Sequence, residues 1–141
     1  MKKEVYNNEK VSVNFSAMEL GQIDALVEQG FYSDRSDLIR TSVRAELDKR
    51  SNDLETILKG TVPHEFLTAD KDELIIMTGI LRLGCKELEA YKTRGIKLVI
   101  KMIGAFIIEK DVPVDLVKDS IKSIKIWGKI SATDEVKKIF Q

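Results

Sequence analysis

From Lys10 to Ser16 apolar and polar positions alternate one for one, with Val11, Val13 and Phe15 set against Lys10, Ser12 and Asn14. A period of two marks a strand with one face to bury and one face to wet. The next alternating run starts only at Ile75, so this short strand has no neighbour close by in its own chain. A lone strand is not stable in water. The pattern therefore predicts that it must find a partner strand.

Helix signals follow at once. Ser16-Ala17-Met18-Glu19 has the S-x-x-E form of a capping box, and Phe15 before the cap with Leu20 inside the helix forms a hydrophobic staple. Ile23, Leu26 and Val27 continue the apolar stripe as far as Gly30, a helix-ending residue, with Phe31 expected to pack the turn. A second start lies in Ser33-Asp34-Arg35-Ser36-Asp37, where Ser33 reads as the cap and acids occupy the first turn. Leu38, Ile39, Val43 and Leu47 then keep helical spacing, and the helix is expected to reach the Asn52 region. Arg40 and Arg44 share one of its faces and read as a solvated face or ion-pair partners.

The order strand, capped helix, glycine turn, serine-capped helix, carried by K-V-S-V-N-F-S, S-x-x-E and G-F-Y-S-D-R-S-D-L-I-R, resembles the ribbon-helix-helix family of MetJ, Arc and CopG-type DNA-binding proteins over residues 10–50. The resemblance implies an intertwined homodimer whose two strands pair antiparallel and enter the major groove of double-stranded DNA. Lys10, Ser12 and Asn14 would then meet base edges, a use that suits lysine on guanine and asparagine on adenine. Family members commonly hold phosphate at the start of the second helix, which points to Ser33, Arg35 and Ser36, with Lys2 and Lys3 adding backbone contacts. The dimer core would comprise Val11, Val13, Phe15, Leu20, Ile23, Val27, Leu38, Ile39 and Val43.

Leu54, Ile57 and Leu58 extend a helical pattern beyond residue 51, before a break at Gly60 and Pro63 that places a linker near residues 59–70. Beyond it lies an internal repeat. Aligned on Gly79, Gly104 and Gly128, the runs are Ile75-x-Met77-x-Gly79-x-Leu81-x-Leu83, Ile100-x-Met102-x-Gly104-x-Phe106-x-Ile108 and Ile124-x-Ile126-x-Gly128-x-Ile130-x-Ala132. Each predicts a strand with glycine at the centre of its apolar face, where packed layers approach closely or the chain bends. Helical segments at 86–97 and 111–123, the latter with Pro113 in its first turn, act as crossovers and make the strands parallel. A short amphipathic piece from Asp134 to Phe140 closes the stack. The opposite strand face is apolar in two units (Ile76, Ile80, Ile103, Ile107) and carries Lys125, Trp127 and Lys129 in the third; burial beneath the crossover helices is the expectation for it, with a capped end or a patch for a second copy or another protein as the alternatives.

The fold class is thus α+β: a ribbon-helix-helix domain at 1–58 for DNA binding and dimerisation, and a small β/α repeat domain at 70–141 for oligomerisation, regulation or partner binding. Composition narrows the chemistry. No apolar run approaches the roughly 18 residues of a membrane helix, and Met1 to Lys10 lacks the apolar stretch of a secretory signal, so a cytoplasmic protein is expected. One cysteine, Cys85, and one histidine, His64, cannot assemble an ordinary zinc site. Cys85 reads as a buried, inert thiol and Trp127 as packing. Neither a cofactor, a metal nor catalysis is expected.

Charge pulls against the DNA reading, because residues 1–50 hold eight Lys/Arg against nine Asp/Glu, a net of −1, where DNA-binding domains are usually basic. The expected function is a sequence-specific repressor. Its alternatives are an antitoxin whose C-terminal part holds a toxin, which usually uses a short disordered tail, and a scaffold in which the ribbon only dimerises the repeat domain.

Overall fold

The computed structural model describes residues 8–60 and 72–140. The chain divides into two compact units, one running to Glu55 and the other from Thr56 onward. The break lies inside a helix, a little before the boundary that the linker composition suggests.

In the first unit, α1 spans Ala17–Glu28 and begins with the full capping box: Ser16 Oγ accepts from the Glu19 amide, and the Glu19 carboxylate accepts from the Ser16 amide. A cap of this kind contributes about 1 kcal/mol. The helix closes in a Schellman motif, in which Gly30 (φ +83°) and Phe31 donate to the carbonyls of Val27 and Leu26. Phe31 itself is 71% exposed, so it does not pack the turn. Helix α2, Arg35–Lys49, corrects the expected cap: the residue is Asp34, whose carboxylate accepts from the Asp37 amide at 2.7 Å. Ser33 instead donates its amide and hydroxyl to Asp37. Helix α2 does not run through to Asn52. It stops at Arg50, and α3, Ser51–Lys59, follows directly. Among the described residues this unit forms no strand, and the segment from Lys10 to Phe15 has no strand partner.

The second unit is a three-stranded parallel sheet in the order β1 (Asp72–Leu83), β2 (Lys97–Ile108), β3 (Ile121–Ser131). Each strand starts three residues earlier than the repeat marks, and β3 ends before Ala132. Parallel neighbours need crossovers. These are α4, Cys85–Thr93, between β1 and β2, and α5, Val114–Ser120, between β2 and β3, while α6, Asp134–Ile139, follows β3. Pro113 is the N-cap of α5 rather than a first-turn residue. The central strand supplies Leu98, Ile100, Met102, Phe106 and Ile108, all 2% exposed or less, to a core closed by Leu88, Leu116, Val117 and Val136 from the helices.

The three repeat glycines align side by side across the sheet, Gly79 beside Gly104 beside Gly128. Each adopts a φ near +130°, a conformation that side chains rarely tolerate. A Cβ built on Gly104 would overlap the Gly79 carbonyl oxygen, and one on Gly128 would overlap that of Gly104. The close approach that the repeat suggests is thus between neighbouring backbones within the sheet.

One expectation is overturned here. The helices pack on the glycine face, and the opposite one is only partly covered: Ile107 is buried, Ile76 and Ile103 are half-buried, and Ile80 remains 45% exposed. What lies over that face at β2 is the end of α3: the Lys101 ammonium donates to the Gly60 carbonyl at 2.5 Å. The predicted linker and His64 lie outside the described residues, apart from its first two positions. Cys85 is half-buried, opens α4, and donates weakly to the Asp111 carbonyl.

Candidate nucleic-acid interface

The segment from Lys10 to Phe15, which joins no strand among the described residues, leaves its apolar residues bare within the single chain: Val11 is 79% exposed, Val13 62% and Phe15 40%. Monomeric proteins do not usually leave a strand's whole apolar face open beside further apolar surface. Here the surface continues on the helices, where Leu26, Val43 and Leu47 are exposed and Ile23 is the one buried apolar residue of the unit among those described. Of the expected core residues, Leu20, Val27, Leu38 and Ile39 are half-buried and Val43 is exposed. Two shallow hollows open here, one lined by Val13, Phe15, Leu20, Ile23 and Ile39, the other by Val11, Ile39 and Val43. Seven of the nine expected core residues thus line open hollows of the single chain, and Val27 and Leu38 line neither.

The polar residues of the same segment are also exposed: Lys10, Ser12 and Asn14. Lys10 borders the second hollow together with Ser36, Arg40 and Arg44. Sequence spacing shows that Arg40 and Arg44 share a helix face, but only the folded unit brings that face beside Lys10. No ion pair among the described residues takes either arginine.

At the start of α2 the predicted phosphate contacts are placed differently from one another. Ser33 is engaged with Asp37 through its amide and hydroxyl. Arg35 makes a two-pronged ion pair with Asp24 of α1, at 2.7 and 2.8 Å. That pair pulls the Asp24 carboxyl below its ordinary value, chiefly through the hydrogen bonds from Arg35, and raises the already high value of the guanidinium. Asp37 is likewise held low, chiefly by the Ser33 amide. Arg35 thus locks α1 to α2 and is not a freely available cation. Ser36 is exposed, and its amide lies in the first turn ahead of the helix's own ladder. Lys2 and Lys3 lie outside the described residues.

Sequence reasoning missed Asp24 as the partner of Arg35 because the two are eleven residues apart across a turn, a separation with no helical or strand periodicity. Asp34 as the cap was within reach: it stands next to Ser33 and three residues before Asp37.

A strand-length segment with exposed apolar residues thus precedes two capped helices that carry further apolar surface. The family model described as the ribbon-helix-helix transcriptional regulator family matches residues 6–137, and the chain belongs to that family. The match runs through the second unit as well, well past the 10–50 segment on which the resemblance rests. Neither the curated proteins nor the solved structures include a match. Among the described residues no helix is long and apolar enough to cross a membrane, and no cluster of ligating side chains is suited to a metal ion.

Proposed function

We propose that this transcriptional regulator is a homodimeric, sequence-specific DNA-binding repressor. Two copies of the 10–16 segment pair antiparallel, and the ribbon enters the major groove with Lys10, Ser12 and Asn14 against base edges. The observation that carries the reading is the segment from Lys10 to Phe15, alternately apolar and polar, exposed throughout and without a strand partner among the described residues, in a chain of this family. Pairing two such segments would satisfy their backbones and bury Val11, Val13 and Phe15, leaving the polar row outward.

Placement compensates for the unfavourable net charge. Lys10, Arg40 and Arg44 border one hollow, and two copies would set these cations on either side of the ribbon, where phosphates flank the groove. Ser36 and the first-turn amides of α2 serve the backbone. Arg35 contributes by fixing the angle between the helices, and Lys2 and Lys3 add tail contacts. The second unit serves regulation or higher association.

The test is selection of genomic fragments by purified protein, followed by affinity measurement for Asn14→Ala on the recovered site. Loss of one bidentate contact of about 1–3 kcal/mol per copy lowers affinity at least several-fold while the dimer persists. Unchanged affinity would remove Asn14 from the interface. Failure to retain any DNA at low salt would favour the scaffold reading, which the slight acidity of residues 1–50 supports.

A further inference from the structure

The glycine ladder has a direction. Gly104 needs to be bare because the carbonyl oxygen of the strand before it occupies the place of a Cβ, and Gly128 is bare for the same reason. Each glycine thus opens a slot toward the preceding strand and sends its carbonyl toward the following one. Gly79 has the same backbone conformation, φ +132° against +137° and +130°, but it lies on the edge strand. Its slot opens past the sheet, where the nearest described atom is the Met77 methyl at 3.9 Å. At the other edge, the Gly128 carbonyl points outward with no strand to receive it among the described residues.

We propose that the C-terminal units of separate copies stack head to tail, the outer edge of β3 in one copy pairing in parallel with the outer edge of β1 in a second copy, Gly128 beside Gly79.

Burial supports this occupant. The central strand, flanked on both sides, buries Ile100, Met102 and Phe106 to 1% exposure or less. Their register partners Ile75, Met77 and Leu81 in β1 remain only partly buried, as do Ile124, Ile126 and Ile130 in β3. A stacked copy extends the same register, setting Ile126 against Met77 and Ile130 against Leu81. It also covers Ile80, 45% exposed, with the stem of Lys129. Lys125 would sit against Ile76, an arrangement no more crowded than the present one, where Lys101 and Lys125 are neighbours and both lie over the Trp127 ring, 5.9 and 5.2 Å from its centre.

The slot also chooses between symmetries. Two β1 edges meeting about a twofold axis would present two slots and no oxygen, and two β3 edges the reverse. Head-to-tail contact matches slot to oxygen, and because it uses two different surfaces it builds an open stack or a ring rather than a twofold dimer. Stacked repeats generally need capped ends to remain discrete. Here no described strand lies beyond β1 or β3, so an added copy extends the sheet and leaves an edge for the next. This inference does not depend on DNA binding.

Sedimentation velocity of the full chain without DNA, from about 1 to about 300 μM, tests it. The weight-average coefficient should climb continuously beyond the smallest species. Ile80→Lys, at an already exposed position, sets a lysine beside the second copy's Lys129, and like charges on adjacent strands oppose pairing; this variant should remain at the smallest species. Adding Lys129→Glu to it should restore the climb. Trp127 fluorescence checks that each variant is folded. A wild type that stays at the smallest species overturns the proposal, as does Ile80→Lys assembling like wild type, or a folded double variant that fails to reassemble.

Discussion

Replacing Val13 by alanine separates the demands of the dimer from those of the single chain. The side chain is 62% exposed in one copy, so its removal costs the isolated fold little. Losing two methyl-sized groups from a buried site costs roughly 1.6 kcal/mol at about 0.8 kcal/mol per group. Scaled by the exposed share, that is about 1 kcal/mol per copy, or about 2 kcal/mol for a dimer containing two. The dissociation constant should rise about 30-fold. Sedimentation equilibrium over a dilution series measures it directly, in the Ile80→Lys background if stacking complicates the analysis. The control is Met18→Ala. Met18 is 75% exposed but lies on the face of α1 opposite Leu20, Ile23 and Val27, so its loss should leave the constant within about twofold. Equal effects of the two substitutions, or no effect of Val13→Ala, would show that exposure of the ribbon residues does not mark a pairing surface.

The glycine ladder can be weighed by comparing Gly104→Ala with Gly79→Ala at a concentration low enough to keep copies apart. Both incur about 1–3 kcal/mol of backbone strain, but Gly104 also meets the neighbouring carbonyl, so its loss of stability should be larger by at least 1 kcal/mol, roughly the worth of one ladder hydrogen bond. Denaturant unfolding followed by Trp127, the single tryptophan, reads this, and equal losses would discount the overlap. The first unit should carry an acid-sensitive contribution. Asp24 and Asp37 are held below the ordinary aspartate range by Arg35 and Ser33, so their stabilisation is present above the unfolded-chain value and disappears as pH falls below about 4. The helical circular dichroism of the Asp24→Asn, Asp37→Asn double variant should depend less on pH in that range, and a slope identical to wild type would refute it.

Much of the architecture follows from patterns that act over a few residues. Ser16 and Glu19 define the start of α1 because a capping box needs only its own four positions, and Gly30 ends the helix because only glycine enters the left-handed region freely. The alternation around Gly79, Gly104 and Gly128 determined three strands, and the crossovers between them determined that the strands run parallel. Tertiary structure alone decided which strand face the helices cover, since both faces of β1 and β2 are apolar and nothing in the local pattern chooses between them. It decided that Arg35 is paired with Asp24, because an ion pair across a turn leaves no periodic trace. It also brought Arg40 and Arg44 beside Lys10. Periodicity encodes which way a side chain faces from its own element, but the identity of what it meets is fixed only when separate elements pack together.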